Sequence, residues 1–335
     1  TTITGTIDSN TLGIYEIVIS ATDESGRNSS KTLQVEVTDQ TPPEISFTGD
    51  DTLVLLLGSE FYLPPNIVTV NDNLDGDLTA NIQVFGVESL DPNSTDSQFV
   101  TFQAVDSSGN PATSQLEVLF EKPGFTISGF AIDGYLAGSQ IQFIPASSEL
   151  QHLTRTVITN SSGGFELDFL SSEFQLLDAN NNGLLDLDEG TLQATGGIDS
   201  TTNREFTGLM KADPGATVLT PLTTVVHALM EDGATKEEAI QATANSFGFS
   251  AQIDITNFDP IQAAGIGEED AKKVLQAGAL VANMMKQAEV LSDIANLDAV
   301  EGEASLAMAQ DLANLVSQNI SLPTVLAQAS QVELS

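Results

Sequence analysis

The chain contains no cysteine, so disulfides, thiolate metal sites and a cysteine nucleophile are all excluded. It has no tryptophan and only 6% aromatic residues, which leaves few of the flat platforms on which a carbohydrate-binding surface stacks sugars. Histidine is equally scarce: His152 and His227 stand at unrelated positions and give no zinc pattern. His227 lies among Val225, Val226 and Leu229, as a core histidine does. Basic residues number 10 against 47 acidic ones, for a formal net charge of −37. That sign excludes nucleic acid as a partner and attraction to an anionic membrane surface. The longest run of large apolar residues, Leu53 to Leu57, is far shorter than the ~20 residues of a membrane helix, so no membrane insertion is expected. The sequence also lacks a Gly-x-Ser-x-Gly elbow, a phosphate-cradling glycine-lysine loop and a dinucleotide fingerprint, and no enzymatic activity is expected.

What remains is 335 residues, 41% of them hydrophobic, enough for roughly two to four domains with real cores. An acidic excess of this size repels itself in a compact state, and divalent cations are an economical remedy. One stretch is built to take them. In Asp178-Ala179-Asn180-Asn181-Asn182-Gly183-Leu184-Leu185-Asp186-Leu187-Asp188-Glu189, oxygen-bearing side chains fall at loop positions 1, 3, 5, 9 and 12, a glycine takes position 6, and position 7 offers a backbone carbonyl. This is the ligand order of an EF-hand-type calcium loop. Asp178, Asn180, Asn182, Asp186 and Glu189 are the expected side-chain ligands and Leu184 the carbonyl ligand of Ca2+. With strands and glycine turns around it, the loop reads as a structural clamp between the β part and the helical part.

The chain begins at Thr1 inside an expected strand and reads as a segment of something longer. Over residues 1–39, apolar and polar residues alternate in Tyr15–Ile19 and Thr32–Val37 on either side of the turn Asp23–Asn28, which predicts a few strands, half of a sandwich. Residues 40–121 repeat that unit in full. Asp23-Glu24-Ser25-Gly26 returns as Asp106-Ser107-Ser108-Gly109, and Thr32-Leu33-Gln34-Val35-Glu36-Val37 returns as Ser114-Gln115-Leu116-Glu117-Val118-Leu119, a period of about 83 residues. Strands are predicted near 44–48, 53–57, 67–70, 80–87, 99–105 and 113–120, as in an immunoglobulin-like β-sandwich.

The junction Asp39-Gln40-Thr41-Pro42-Pro43, the turn Asn71–Thr79 and the closing Ala104–Asn110 resemble bacterial immunoglobulin-like repeats of the hyalin-repeat type. Such repeats occur in tandem in large bacterial surface proteins and adhesins, and the likeness covers residues 1–121. It departs from the family at Tyr62-Leu63-Pro64-Pro65, which keeps the tyrosine of a characteristic turn and lacks its aspartate. Two carboxylate groups are candidate calcium ligands here: Asp72, Asp75 and Asp77 in one turn, and Asp39 with Asp106 at the junction, as in calcium-rigidified extracellular arrays. Asx turns that need no ion are the competing account.

Residues 122–207, with Phe125–Phe143 and Arg155–Leu167 as strands joined by glycine turns, resemble the transthyretin-like small sandwich of bacterial surface proteins. From 208 the apolar period changes from 2 to 3.6. Helices are predicted over Val218–Met230, with Pro221 in the first turn, from the capping box Thr235–Glu238 to about Phe247, over 268–291 and over 302–319, with a fifth opening at Pro323. Residues 208–335 are thus expected to form an α-helical bundle, and the stretch from Gly196-Gly197-Ile198-Asp199 to Thr207-Gly208 with the helix at Pro221-Leu222-Thr223-Thr224 resembles a sandwich-plus-helices module recurring in marine bacterial surface and repeat proteins.

The expected fold is therefore multidomain: immunoglobulin-like β-sandwiches in a mainly β N-terminal half, followed by an α-helical bundle. The expected function is a calcium-stabilised structural and adhesive segment of a secreted bacterial cell-surface protein, located outside the cell. Its expected partners are neighbouring domains or protomers of the same protein and a host or surface ligand. Two alternatives stand beside it: a protomer of an extracellular fibre or surface layer assembled by strand exchange, and a glycan- or peptide-binding module.

Overall fold

The computed structural model describes residues 1–294 and 302–321, which fall into two units, Thr1–Lys122 and Pro123–Ser335. The expected helix from Pro323 lies outside the described residues.

The first unit opens with an antiparallel sheet of β1 (Thr2–Thr4), β2 (Gly13–Thr22) and β3 (Asn28–Val37). A β-sandwich follows, made of β4 (Glu44–Phe47), β5 (Thr52–Leu56), β6 (Val68–Asp72), β7 (Gly76–Asp77), β8 (Gln83–Phe85), β9 (Gln98–Val105) and β10 (Pro111–Glu121). One sheet runs β5-β10-β9-β8 and the other β4-β6-β7, and β5 joins β10 in parallel while the remaining pairs are antiparallel. Alternate residues of β9 and β10 point inward, so Val100, Phe102, Leu116, Val118 and Phe120 are sealed in a core with Leu53 and Val68. Phe47 packs edge-on to Phe102, their centroids 5.4 Å apart. The strand predicted over 80–87 is only Gln83–Phe85, because a 3-10 turn stands on each side of it, Thr79–Asn81 and Val87–Ser89.

The 83-residue repeat makes the first sheet informative. Ile19 and Leu33 stand where the sandwich has Phe102 and Leu116. The latter pair are fully buried, whereas Ile19 is 38% exposed and Leu33 51%. Residues 1–37 thus form one sheet of a sandwich whose inner face has no second sheet over it among the described residues.

The second unit joins a sandwich to a helical bundle. β11 (Phe125–Ala131), β12 (Leu136–Ala137), β13 (Gln140–Pro145), β14 (Arg155–Ile158) and β15 (Gly164–Phe169) lead to helix α1 (Ser171–Leu177). Then come β16 (Gly190–Thr195), β17 (Ile198–Asp199), β18 (Leu209–Ala212) and β19 (Val218–Leu219). The sheets run β15-β11-β19 and β14-β13-β16-β18, with β12 paired to β17. Phe143, Phe169, Leu192 and Met210 close the core between them. The boundary expected at 207/208 therefore needs correction. β18 completes a sheet by pairing with β16, and β19 lies parallel to β11, so the sandwich closes only with strands from beyond residue 208.

Helices α2 (Pro221–Glu231), α3 (Lys236–Phe247), α4 (Pro260–Gly265), α5 (Glu269–Ile294) and α6 (Glu303–Ser317) follow; the helix expected from Val218 starts only at Pro221, because Val218 and Leu219 pair with β11 as β19. Their starts are chemically marked. Thr220 and Thr223 cap α2 reciprocally, Thr235 and Glu238 cap α3, and Asp259 accepts from the first-turn amides of Ile261 and Gln262, as side-chain oxygens do at helix starts. The bundle buries Leu222, Val225, Phe247, Val281, Met285 and Leu312, and α2 and α6 also pack on β18. No described helix is long and apolar enough to cross a membrane.

Truncating Phe102 to alanine empties the centre of the first unit's sandwich and is expected to cost about 3–5 kcal/mol, read as a lowered denaturant midpoint for that unit. An unchanged midpoint would contradict the core assigned here.

Candidate metal centres

Two of the expected ligand groups merge differently in space than along the chain. Asp39 lies on the linker between β3 and β4, Asp72 ends β6, and Asp106 opens the turn between β9 and β10. One oxygen of each meets the others within 4.8 Å, the one acidic cluster of this tightness among the described residues. Asp72 and Asp106 are buried. Asp72 Oδ1 accepts from the Leu74 and Asp75 amides at 2.8 Å each. Its Oδ2, like Oδ2 of Asp39, is buried with no hydrogen-bond partner.

Asp106 is the anchor of the group. The Asn110 amide donates to Asp106 Oδ1 and the Asn110 side chain to Oδ2, both at 2.7 Å. Burial works to raise the Asp106 carboxyl, but Asn110, Gly109 and Ser108 together hold it below the ordinary carboxylate range. Asn110 also reaches Asp39 O at 3.3 Å, so a single amide side chain ties the linker to the turn. Three carboxylates this close repel strongly unless a cation or a proton stands among them. Three clustered carboxylates, two of which each leave a buried oxygen without a partner, fit an oxygen-seeking divalent ion.

Asp75 and Asp77, expected to share an ion with Asp72, are engaged elsewhere. Asp75 accepts from Ser107 N at 2.6 Å and Ser107 Oγ at 2.8 Å. Asp77 caps the 3-10 turn through Thr79 N at 2.9 Å, and Thr79 holds its pKa below the usual value. Asp77 thus fits the Asx-turn account, while Asp75 is satisfied by Ser107, 32 residues further along the chain.

The 178–189 loop folds around its own carboxylates. Asp178 accepts from Asn182 N at 3.0 Å and Gly183 N at 2.9 Å, and Glu189 from Asn180 N and Asp186 N at 3.2 Å each. Asn180 Nδ2 donates to Asp186 Oδ2 at 3.0 Å. Asp178 and Glu189 are buried, while Leu184 is exposed. Gly183 has φ 82° and Asn181 φ 56°, the left-handed region that glycine and asparagine tolerate. Hydrogen bonds thus link Asp178, Asn180, Asn182, Asp186 and Glu189 within the loop, but Asn180 and Asn182 are exposed, and Asp178, Asp186 and Glu189 are not gathered as tightly as Asp39, Asp72 and Asp106.

Its setting differs from the expectation. The loop lies within the sandwich, between α1 and β16, so it is a helix–loop–strand inside one core rather than a joint between the β and helical parts. Helix α1 was not expected. Its signal was Glu173, which accepts from Leu170 N at 2.9 Å and pairs with Arg155.

The histidines hold no such site. His227 Nε2 is 3.3 Å from Glu231, and burial lowers the pKa of its ring against the pull of Glu231. His152 lies on an exposed 3-10 turn, its Nδ1 3.1 Å from Glu149 O.

A family model described as bacterial surface protein, Ig-like domain, matches residues 45–118, less than a quarter of the chain. That segment is the second sandwich and carries Asp72 and Asp106. No curated protein matches the chain. Among solved structures, the chain is similar to a lipoprotein from Bacteroides thetaiotaomicron at 14% identity, covering 52% of this chain and 75% of that one, TM-score 0.20. It is similar to the M60 catalytic domain with two CBM51 domains from Clostridium perfringens at 10% identity, covering 62% and 29%, TM-score 0.18. The third is a Ca2+-stabilised adhesin of an ice-binding Antarctic bacterium, at 11% identity, covering 61% and 56%, TM-score 0.15. The chain thus spans well under two thirds of the last two. At such TM-scores these likenesses carry no weight for fold or function.

Asp178→Ala removes the acceptor for two backbone amides and is expected to destabilise the second unit by about 1–3 kcal/mol even in chelator. Thermal unfolding in chelator checks this, and an unshifted midpoint would show that the loop does not depend on Asp178.

Proposed function

We propose that the chain is a calcium-stabilised structural and adhesive segment of a bacterial surface protein, acting outside the cell without catalysis. The observation that carries this reading is the Asp39–Asp72–Asp106 cluster with its two buried, unpartnered oxygens. The surface-protein family match over 45–118 and the tandem repeat support the same setting. Asp39, Asp72 and Asp106 would hold Ca2+, with Asp178, Asn180, Asn182, Leu184, Asp186 and Glu189 as a second set.

In the first set the ion supplies positive charge where three carboxylates meet. The chain's own residues do the rest. Asp106 is held ionised by Asn110, Asp72 is aimed by the amides of its own turn, and Asp39 brings the linker 38–43 to both. A cation there joins the first sheet's exit to the sandwich that follows, so the segment is stiff where calcium is plentiful. Extracellular calcium modules bind with Kd of about 10⁻⁴–10⁻³ M. A site filled at about ten to a hundred times its Kd adds roughly 1.4–2.7 kcal/mol to stability, a useful amount in a chain without disulfides.

A second reading, a protomer that assembles through strand exchange, is favoured by the exposed inner face of the β1–β3 sheet. A complementary sheet from a neighbour would cover Ile19 and Leu33, a contact that propagates instead of closing. Sedimentation with calcium at rising concentration is expected to show growing oligomers on this reading, and a constant monomer mass would remove it.

For the first reading, adding calcium to chelated protein is expected to raise the melting temperature of the first unit by about 3–8 °C, with a rise in hydrodynamic length. Asp72→Asn should abolish that response while leaving the second unit's response intact. Identical melting of the wild-type protein in calcium and in chelator would overturn the proposal.

A further inference from the structure

The second unit contains a cleft of about 660 Å³ that none of the metal ligands lines, a size typical of small-ligand sites. One wall is helix α5, which turns Leu275, Gly278, Ala279 and Ala282 toward the space. A Cβ added at Gly278 would meet nothing within 4 Å, so the run of small residues is what keeps the cleft open. Leu222, Ile255, Val274, Met285 and Phe206 form a buried apolar floor.

The opposite wall is the Ile132-Asp133-Gly134 turn with β17 and the loop after it. It brings two carboxylates to the edge of that apolar floor. Asp199 is buried and already engaged, accepting from Thr201 N at 2.7 Å and also from Thr202 Oγ1. Its position is fixed by Gly134, where any Cβ would collide with the Asp199 carboxylate. Asp133 is half-buried, and no hydrogen bond to its side chain occurs among the described residues. Glu205 also lines the cleft, against Arg204 and Lys286 as the cations, so the lining carries a net negative charge within a chain of net charge −37. Lys286 is exposed on α5 and offsets only part of it. Burial first, and Asp199 second, raise the Asp133 carboxyl to about 6 although Lys286 opposes them. A carboxylate without a partner beside an apolar, roomy floor is the arrangement by which proteins hold an amphipathic cation.

We propose that this cleft binds a primary ammonium borne on an apolar body, with the ammonium on Asp133 and the apolar part on the α5 face. A lysine side chain and an aliphatic amino terminus of a peptide both present that chemistry. The site is separate from the calcium sites, and its failure would leave that reading untouched. Binding should be strongest above pH 6 and weaken as Asp133 protonates below it, since a neutral carboxyl no longer attracts the ammonium.

The test is a titration of the full chain, in calcium, with n-hexylamine, n-hexanol and hexanoate, followed by amide chemical shifts. Nα-acetyl-lysine amide and leucinamide serve as the arms that separate lysine from amino terminus. Hexylamine is expected to bind at least tenfold more tightly than hexanol or hexanoate at pH 7.5 and to shift cleft amides of α5. Asp133→Asn should erase that preference while hexanol binding stays unchanged. Gly278→Leu should abolish binding of every probe, and Ala282→Leu repeats the filling test should the first variant misfold. Hexanoate binding as well as hexylamine, an amine preference that survives Asp133→Asn, or no binding by any probe would each overturn the proposal.

Discussion

With almost five acidic residues for each basic one, this chain must find partners for its carboxylates among groups other than cationic side chains. Ion pairs of lysine and arginine among the described residues are few, and the Arg27–Asp23 and Lys273–Asp270 pairs are on the surface, where such contacts are worth little. The backbone does the work instead. Asp8, Asp23, Asp39, Asp72, Asp77, Asp178, Asp199, Asp213 and Asp254 each accept an amide from two residues or a few further on. Each such bond fixes a turn between strands or before a helix. The acidity is thus part of the folding code, since it makes several of the turns at which the described strands reverse.

The same economy explains where cations are needed. Asp178 and Asp106 each have both carboxylate oxygens hydrogen-bonded within the chain, which holds them in place. Asp39 and Asp72 each leave one oxygen buried without a donor, and the tertiary fold brings one oxygen of each within 4.8 Å of the other and of Asp106. Among the described residues no lysine or arginine forms an ion pair with any of the three. The site follows from a shortage of donors rather than from an abundance of acids, which is why Asp75 and Asp77, in the same turn, do not join it.

Much of the architecture was legible because its signals are local. Period-two alternation marked β2, β3, β9 and β10, the recurrence of Asp23–Gly26 as Asp106–Gly109 marked two related sheets, and Pro221 and the Thr235–Glu238 capping box marked α2 and α3. The boundary at 207/208 failed because β18 and β19 are two- to four-residue strands with no alternation long enough to register. Their identity comes from pairing with β16 and β11. Helix α1 was missed for the same reason, being too short for a 3.6-residue period to show.

For the candidate sites the division is similar. The ligand order of 178–189 is a contiguous pattern, so the sequence alone singled out that loop, and the structure shows its side chains hydrogen-bonded to one another and to the loop backbone. Composition alone likewise determined that no disulfide could staple the chain and that its acids outnumber any cationic partners it could offer. Only tertiary structure decided that Asp72 leaves Asp75 and Asp77 to meet Asp39 and Asp106, that Ile19 and Leu33 stand uncovered, and that α5 faces Asp133 across an open cleft. Those outcomes depend on which strand ends and helix faces the packing of cores brings together. The distances involved join residues far apart along the chain, where no spacing rule applies.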